Sequence, residues 1–362
     1  MKFLIGVCGI GKGHSIREYE IAKELQNRGH DVKILTYGEG VDFFKNTGFE
    51  TYNVYVPMIM FKTGKPNWKD IIKRNFFKFL PGTIKNIEIY RKLKKNAFVP
   101  DVCISDYEPV VARIAYKFHK PLINIDQHSK FIYMDEKSID GFSCEEEKNR
   151  LMFFFPRCQQ KYVVSFYKIS DKLLPNNVEI LYPIIRGDLL NINIPEIKER
   201  KVLVYFSKYI DIPIKQKIDE VIKIFNKYTD FKFVIFSTEY YNTNLKEKGN
   251  VIIKPNERES FVKELVESCC VITTAGHTLI SEALFCKIPL FLIPLSTFDQ
   301  HYCGKFVLEN NLGISSDMIT ENNLSVFLKN IENYKENIKS CNNLVKTMDT
   351  IKYIVDNLEK YK

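Results

Sequence analysis

The sequence predicts an α/β protein with two domains, each built around a parallel sheet. Short apolar runs alternate with amphipathic runs along the chain, and this alternation occurs as two separate series. Such alternation is typical of βαβ units, in which helices cover both faces of a parallel sheet. The 362 residues suffice for two domains of roughly 150 residues each.

The first series begins at the amino terminus. Lys2–Cys8 is predicted to be a strand, and a helix over Ser15–Arg28 follows it and ends at Gly29. The later elements are a helix over Val110–Phe118 and strands over Asp31–Thr36, Val102–Ser105 and Leu122–Asp126.

The second series has the same character. Its predicted strands are Val202–Ser207, Phe233–Ser237, Val251–Lys254, Val271–Thr274 and Leu290–Ile293. Its predicted helices are Ile214–Lys227, Glu257–Ser268, Thr278–Phe285 and His301–Glu309. The two series meet near Pro183–Gly187, and the charged, aperiodic Asn191–Arg200 suits a linker. We therefore predict two Rossmann-like domains, over residues 1–183 and 184–345.

Composition excludes several other classes of protein. The 27 Phe and 20 Tyr residues are too many aromatics for a long disordered chain. Nine cysteines, without a C-x-x-C pair, favour reduced thiols in a cytoplasmic protein over a disulfide framework or a zinc ribbon. No apolar run approaches the ~18 residues that cross a bilayer. The formal net charge of +9 favours a polyanionic partner, either an acidic membrane surface or nucleic acid.

A glycine-rich loop from Gly9 to His14 joins the first strand to the first helix. It lacks the hydroxyl residue of a P-loop, and His14 stands where a dinucleotide-binding loop needs glycine. We interpret the loop as a turn in which Gly11 and Gly13 admit a ligand to the backbone and present His14 at a helix N-terminus. A histidine there acts as a general base, or it merely caps the helix.

Polar residues also follow two later strands, at the sheet edge where open α/β sheets bind ligands. Asp106 comes directly after one strand, where it either holds His14 in one tautomer or caps the following helix. Asp126, Gln127 and His128 end the next strand and either contact a substrate or form an ordinary polar loop.

The stretch 61–95 is the most basic in the chain and is also rich in aromatic residues such as Trp68. This composition fits an element at an anionic membrane interface, and it equally fits an amphipathic helix that packs inward. Its basic residues are Lys62, Lys65, Lys69, Lys73, Arg74, Lys78, Lys85, Arg91, Lys92, Lys94 and Lys95.

A second glycine turn, at Gly276, follows a strand of the second series and opens a helix. Such a turn exposes backbone amides to a phosphate, and His277 can either contact that anion or pack at the helix start. Glu282 lies six residues beyond Gly276, where a carboxylate can accept both hydroxyls of a ribose. Asp299 and Gln300 follow the next strand and are candidates for binding sugar hydroxyls.

These motifs together resemble the GT-B glycosyltransferases. The resemblance to the donor site of that group lies in the motif T-x-G-H-T-L-I-S-E-A-L of this chain, followed along the sequence by K-I-P-L-F-L-I-P and D-Q-H. The G-x-G-K-G-H loop is similar to that of the family-28 group, which includes the transferase that adds N-acetylglucosamine to the peptidoglycan lipid intermediate. The resemblance to an uncharacterised microbial branch of the group lies in the motifs I-S-D-Y-E-P and I-N-I-D-Q-H of this chain.

The resemblance implies two Rossmann-like domains that face each other across a cleft, with a final helix, 346–362, that crosses back to the first. It implies inverting, metal-independent transfer without a cofactor, from a nucleotide-sugar co-substrate that is usually a UDP-sugar. His14 would be the base on the acceptor hydroxyl, and Asp106 its partner.

The resemblance also assigns a donor site in the second domain. Glu282 would bind the ribose, and Leu279 stands where the group often has a hydroxyl residue, a departure that affects the phosphate contacts. The implied donor residues are Ser207, Gly276, His277, Thr278, Glu282, Asp299 and Gln300.

Two other functions are weighed against transfer. A nucleotide-sugar 2-epimerase of this fold typically has S-G-G-x-Q-E-E where this chain has A-G-H-T-L-I-S-E. A non-catalytic nucleotide-sugar-binding or lipid-binding protein is the other alternative, and the presence of His14, Asp106 and Glu282 argues against it. Among acceptors, a lipid at the inner face of a membrane fits the stretch 61–95, and a nucleic-acid base or a small molecule is the alternative.

Overall fold

In the computed structural model, strands and helices alternate along most of the chain. The structure describes residues 1–57, 61–62, 65–66, 68–155, 157–169, 174–195, 199–206, 214–243, 246–341 and 349–361. The chain divides into two compact units, one of Met1–Ile184 with Thr347–Lys362 and one of Ile185–Lys346.

The first unit contains a seven-stranded parallel sheet and two small antiparallel pairs of strands. Its strands are β1 (Lys2–Val7), β2 (Asp31–Thr36), β3 (Glu50–Asn53), β4 (Phe61–Lys62), β5 (Lys65–Pro66), β6 (Val102–Asp106), β7 (Leu122–Asp126), β8 (Ser138–Ile139), β9 (Phe142–Ser143), β10 (Gln160–Val164) and β11 (Val178–Leu181). Its helices are α1 (Gly13–Asn27), α2 (Glu39–Phe44), α3 (Trp68–Lys95), α4 (Pro109–Phe118) and α5 (Cys144–Phe154). The sheet order is β11-β10-β7-β6-β1-β2-β3, and β4–β5 and β8–β9 are small antiparallel pairs.

Both faces of this sheet are buried. Phe3, Ile5 and Val7 of β1 join the core on one side, and Leu4 of the same strand joins the core on the other. Successive side chains of a strand point to opposite faces, so a strand covered on both sides is a continuous apolar run. That is why Lys2–Val7 reads as an apolar stretch in the sequence.

The second unit repeats this architecture. Its strands are β12 (Glu199–Tyr205), β13 (Lys232–Phe236), β14 (Glu247–Lys248), β15 (Val251–Lys254), β16 (Ser268–Thr273), β17 (Leu290–Leu292) and β18 (Gly313–Ser315). Its helices are α6 (Gly187–Leu190), α7 (Ile214–Phe225), α8 (Thr238–Thr243), α9 (Arg258–Glu267), α10 (His277–Phe285), α11 (Phe298–Glu309), α12 (Glu321–Lys329) and α13 (Ile331–Ser340). The order is β14-β15-β13-β12-β16-β17-β18, and only the β14–β15 pair is antiparallel among these described strands.

The final helix, α14 (Thr350–Leu358), packs on the first unit. Ile354 and Leu358 enter the same core as Ile21 and Leu25 of α1. A polar contact also holds the start of this helix, where the Thr350 hydroxyl donates to the carbonyl of Tyr182 at 3.2 Å.

The helix α3 differs from the expectation that the stretch 61–95 packs inward. It begins at Trp68, and its buried residues are only Asn75, Gly82, Ile89 and Leu93. Most of its apolar side chains are exposed instead. Among the described residues, no helix has both the length and the apolar character that crossing a membrane requires.

Candidate active site

The first sheet reverses its strand order at β1, which has β2 on one side and β6 on the other. In open α/β sheets, the crevice at such a switch point lies beyond the carboxyl ends of the strands and is where ligands bind. Val7 of β1 is in register with Asp106 of β6, and the Cys8 amide donates to the Asp106 carbonyl at 2.9 Å. The glycine-rich loop and Asp106 are therefore neighbours at this point.

His14 and Asp106 are in direct contact. His14 is the second residue of α1, and its Nδ1 lies 2.9 Å from Oδ1 of Asp106. The Asp106 side chain is fully buried, whereas that of His14 is 16% exposed. The imidazole is thus held from inside the protein while part of its ring remains accessible.

Arg17 completes this arrangement, and sequence reasoning missed it. Its Nε donates to Oδ2 of Asp106 at 3.1 Å, and its Nη2 donates to the same oxygen. The signal was present, since residues three apart lie on one helix face and Arg17 follows His14 by one turn.

Nδ1 of His14 has two neighbours, since it lies 2.9 Å from Oδ1 of Asp106 and 3.1 Å from Nη2 of Arg17, and the charge of Asp106 favours a proton on Nδ1. Burial raises the pKa of the Asp106 carboxyl, but the neighbouring Arg17 and His14 outweigh burial and hold that pKa below its usual range. An ionised carboxylate only accepts hydrogen bonds, so we assign the proton of neutral His14 to Nδ1. The Nε2 atom then carries the free lone pair.

Two aromatic side chains form a layer beside His14. The His14 and His128 rings stack with centroids 5.8 Å apart and planes 12° apart, and Tyr107 lies 4.6 Å from His128. Burial, then the charges of His14 and other cations, hold the pKa of His128 well below its usual range. His128 is therefore neutral and adds no positive charge beside the His14 ring.

Asp126 and Gln127 shape the turn that carries His128. The Asp126 carboxylate accepts from the amides of His128 and Ser129, at 2.7 and 2.6 Å, and from the Ser129 hydroxyl. The buried Gln127 accepts from Lys130 through its side-chain and backbone oxygens. Substrate contact by Asp126, Gln127 or His128 stays a prediction, and of the three, His128 lies nearest to His14 by ring stacking.

The expectation that Asp106 caps α4 is wrong, because Glu108 is the cap. Its two carboxylate oxygens accept from the amides of Val110 and Val111, at 2.8 and 2.7 Å. Asp106 is instead the last residue of β6. Burial raises the pKa of Glu108 to about 7.

The glycine-rich loop has a different critical position from those predicted. Gly11 adopts a φ of +70° in open space, and Gly13 is the first residue of α1. Gly9 is the tightly packed residue, since a Cβ there would lie 1.6 Å from the carbonyl oxygen of Tyr37. Two backbone segments approach each other at Gly9, which no side chain permits.

The second sheet also has a switch point, at β12, which lies between β13 and β16. The turn at Gly276 follows β16 and opens α10. Thr273 of β16 is in register with Leu292 of β17, so the loops after these strands lie side by side. Asp299 and Gln300 belong to the first turn of α11, which follows β17, and Gln300 accepts from the Leu295 amide at 2.9 Å.

The Gly276 turn leaves room at the start of α10. A Cβ on Gly276 would meet no atom within 4 Å, whereas the next residue, His277, is buried. Thr278 is half-buried one position further on. The N-terminus of a helix favours anions, because its first amides lack partners within the helix and its dipole is positive at that end. Ser207 lies outside the described residues.

Glu282 has a partner that the sequence did not reveal. Nε and Nη2 of Arg186 donate to its two carboxylate oxygens at 2.7 and 2.8 Å, and both residues are buried. Arg186 and Glu282 are 96 positions apart, so no local spacing in the sequence predicts their contact. A carboxylate has about four acceptor sites, and Arg186 occupies two of them.

Comparison with known proteins identifies the family. The model of glycosyl transferase family 1 matches residues 1–332. The chain belongs to this family. An uncharacterized glycosyltransferase of Methanosarcina mazei is 23% identical to it over 401 residues, covering 99% of this chain and 98% of the relative. Another, from Methanosarcina acetivorans, is 24% identical over 195 residues, covering 52% of this chain and 46% of the relative.

Solved structures show the same fold at low sequence identity. The glycotransferase of kitacinnamycin has a TM-score of 0.69 at 15% identity, over 99% of this chain and 98% of its own. MurG of Acinetobacter baumannii has a TM-score of 0.60 at 15% identity, and VinC in complex with dTDP has 0.58 at 13%, each over 99% of this chain and all of its own. The chain is therefore a glycosyltransferase with two Rossmann-like domains of the GT-B type, and the finer resemblance to the family-28 group stays a prediction.

Proposed function

We propose that this glycosyltransferase moves a sugar from a nucleotide-sugar to an acceptor hydroxyl, with inversion at the anomeric carbon and without a metal ion. The contact of His14 with the buried Asp106 carries the proposal. It supports a base that has its proton on Nδ1 and accepts the acceptor's proton at Nε2. UDP is the nucleotide that we expect, and a membrane-associated lipid is the acceptor that we expect.

The transfer step uses His14 as the general base. The acceptor hydroxyl gives its proton to Nε2 of His14 while its oxygen bonds to the anomeric carbon. The bond from that carbon to the diphosphate breaks, and the diphosphate leaves with the electron pair. Asp106 then stabilises the imidazolium through its hydrogen bond to Nδ1, as the acid of a catalytic triad does.

The donor side of the proposal rests on the Gly276 turn. As the diphosphate departs, negative charge grows on its oxygens, and the start of α10 is suited to stabilise that charge. Glu282 would use its remaining acceptor sites for the ribose hydroxyls, with Arg186 holding the carboxylate in place. A structural neighbour, VinC, has been crystallised with dTDP, which supports a nucleotide diphosphate as the ligand class.

Calorimetric titration with UDP-, GDP-, dTDP- and CMP-sugars in EDTA tests the donor. One nucleotide family should bind and should raise the melting temperature, because a ligand of the native state stabilises it. Glu282→Gln should weaken that binding while keeping the side-chain shape, and Glu309→Gln, on the exposed end of α11, is the matched control. A folded protein that binds none of the four families contradicts the proposed donor.

Product analysis tests the stereochemistry. The anomeric configuration of the transferred sugar, read by NMR, should be opposite to that of the donor, and the rate should be unchanged by EDTA. A product that retains the donor configuration, or a rate that requires added metal, contradicts the inverting, metal-independent mechanism.

A further inference from the structure

The helix α3 is attached to the first unit by an unusual set of contacts. Its buried residues Asn75, Gly82 and Ile89 recur every seven positions and so share one face. Asn75 accepts from the Tyr55 hydroxyl at 2.9 Å, and a Cβ on Gly82 would come within 2.2 Å of the Tyr55 ring. The middle of α3 is therefore held against Tyr55 by a polar residue and a small residue.

A second asparagine strengthens this attachment. The Asn86 side chain accepts from the Tyr55 amide at 2.9 Å and donates to the Tyr55 carbonyl at 2.7 Å. Satisfying both backbone groups of one residue fixes α3 relative to the segment that contains Tyr55. Hydrogen bonds to Tyr55 therefore attach this part of α3, and its apolar side chains are not required for the attachment.

The apolar residues of α3 are exposed to the solvent instead. Phe77 is 86% exposed, Phe76 67% and Trp68 64%. Apolar side chains that are exposed next to one another on a monomer often mark a surface that binds a partner or a membrane. The exposed large apolar side chains of this helix are Trp68, Ile72, Phe76, Phe77, Phe79, Leu80, Ile84 and Ile87.

Helical spacing places these side chains together. Ile72, Phe76, Leu80 and Ile84 follow one another every four positions, which puts them on neighbouring turns of one face. A helix of a soluble protein directs such a stripe toward its core. In α3, Asn75 and Asn86 contact Tyr55 of the first unit, whereas the apolar stripe is exposed.

Positive charge surrounds this stripe. The helix has nine basic and two acidic residues, so it accounts for a net +7 of the formal +9 of the chain. Lys69 and Lys73 lie at one end of the stripe, and Arg91, Lys94 and Lys95 lie beyond the other, all exposed. The outward surface of α3 therefore combines a long apolar stripe with cationic ends.

We propose that α3 docks flat on a bilayer that contains anionic phospholipids. Its apolar stripe would enter the boundary between head groups and acyl chains, and its lysines and arginines would contact lipid phosphates. A second copy of this helix is disfavoured as the occupant, because two +7 surfaces repel each other. A nucleic acid would match the charge but would leave the apolar stripe in water.

Docking of α3 deepens the proposed function, because it brings the enzyme to lipid-linked hydroxyls. The binding itself does not depend on the transfer reaction, so the two proposals can fail separately. Loss of vesicle binding would leave the roles of His14 and Asp106 intact, and loss of turnover in a His14 variant would leave docking intact.

The sole tryptophan of the chain, Trp68, reports on docking directly. With vesicles of phosphatidylcholine and phosphatidylglycerol, its emission should move to shorter wavelength, and the protein should float with the vesicles in a density gradient. With vesicles of phosphatidylcholine alone, both effects should be weaker by about tenfold and should lose their salt dependence. An unchanged emission with the anionic vesicles overturns the proposal.

Variants separate α3 from the rest of the surface. Phe76→Gln with Phe77→Gln should lower vesicle affinity at least about tenfold, since both rings are exposed and their loss leaves the fold intact. Met318→Gln, at an apolar residue of the second unit that is 59% exposed, is the control and should have no effect. Undiminished binding by the double variant overturns the proposal, and so does a double variant that only changes the mass of the protein in solution.

Charge reversal completes the test. Lys94→Glu with Lys95→Glu should reduce binding to the anionic vesicles several-fold, whereas Lys23→Glu with Lys45→Glu, at exposed positions of the same unit, should not. Equal losses from both charge reversals would show a non-specific effect of net charge and would contradict docking through α3.

Discussion

Nδ1 of His14 lies 2.9 Å from Oδ1 of Asp106, although the two residues are 92 positions apart in the sequence. They meet because the strands that precede them, β1 and β6, are neighbours at the point where the sheet reverses its order. Arg17 holds the same carboxylate from the other side. The contact is therefore a property of the fold, and it positions an accessible imidazole over a buried charge.

Removal of Arg17 should make the enzyme more sensitive to acid. Arg17 is one of the groups that lower the pKa of Asp106, so Arg17→Gln should raise that pKa. Asp106 would then take up its proton at higher pH, and the acid limb of the kcat/KM profile should move to higher pH. Arg28→Gln, at the other end of α1, is the control and should leave the limb in place.

Replacement of the carboxylate itself should reduce turnover more than binding. Asp106→Asn keeps an acceptor for Nδ1 but removes the charge that stabilises the imidazolium, so kcat should fall about 10²–10⁴-fold. The KM for the donor should change little, since Asp106 lies outside the unit to which we assign the donor. A larger change in KM than in kcat would contradict a role in positioning the base.

The buried pair of Arg186 and Glu282 should behave as a unit in stability measurements. Arg186→Met leaves a buried carboxylate without its partner and should lower the free energy of unfolding by about 3–5 kcal/mol. Adding Glu282→Leu should recover most of this loss, because both charges are then absent. Urea denaturation of the two single variants and the double variant measures the coupling. Additive losses would show that the ion pair contributes nothing of its own.

Glu108 should make stability depend on pH between about 4.5 and 7. Its pKa rises from 4.5 to about 7 on burial, so in this window the folded state binds a proton that the unfolded state has lost. Stability contributed by the protonated group is therefore lost as the pH rises through this range.

The matched variant isolates that effect. Glu108→Gln cannot titrate, so the stability of the wild type relative to this variant should fall from pH 4.5 to 7, measured by urea denaturation. Glu88→Gln, at an exposed position of α3, should show no such trend. A constant difference between the wild type and Glu108→Gln would mean that Glu108 titrates normally.

Two glycines of the same loop should respond differently to alanine. At Gly9 the new Cβ would meet the backbone of Tyr37, so Gly9→Ala should cost about 3 kcal/mol or more. At Gly11 the space is open and only the φ of +70° opposes a side chain, which costs about 1–2 kcal/mol. Thermal denaturation compares the two, and equal losses would contradict the close approach at Gly9.

The sequence predicted the central strands well, because a strand buried on both faces is a mainly apolar run, which one Lys33 or one Asn124 does not conceal. Asp31–Thr36 and Leu122–Asp126 have the same bounds in the structure as in the prediction. The strands Gln160–Val164 and Val178–Leu181 were missed, because polar and charged residues interrupt their apolar pattern.

The site was predicted in part, for physical reasons that differ between residues. Asp106 was found because it ends a strand and His14 because it follows the loop after the neighbouring strand, at the sheet edge where parallel strands bring side chains together. Arg186 was missed because its pairing with Glu282 depends on tertiary structure alone. Of the two alternatives for the stretch 61–95, inward packing was wrong for most of α3, because periodicity reports that an apolar stripe exists and does not report which way it faces.

The turnover of His14→Ala tests the central claim most directly. With saturating donor and acceptor, kcat should fall about 10²–10⁴-fold while the dissociation constant of the donor nucleotide stays unchanged. His119→Asn is the matched control and should retain full activity. His119 is exposed and has a left-handed backbone conformation, which asparagine tolerates. Near-normal turnover of His14→Ala would contradict the assignment of His14 as the base.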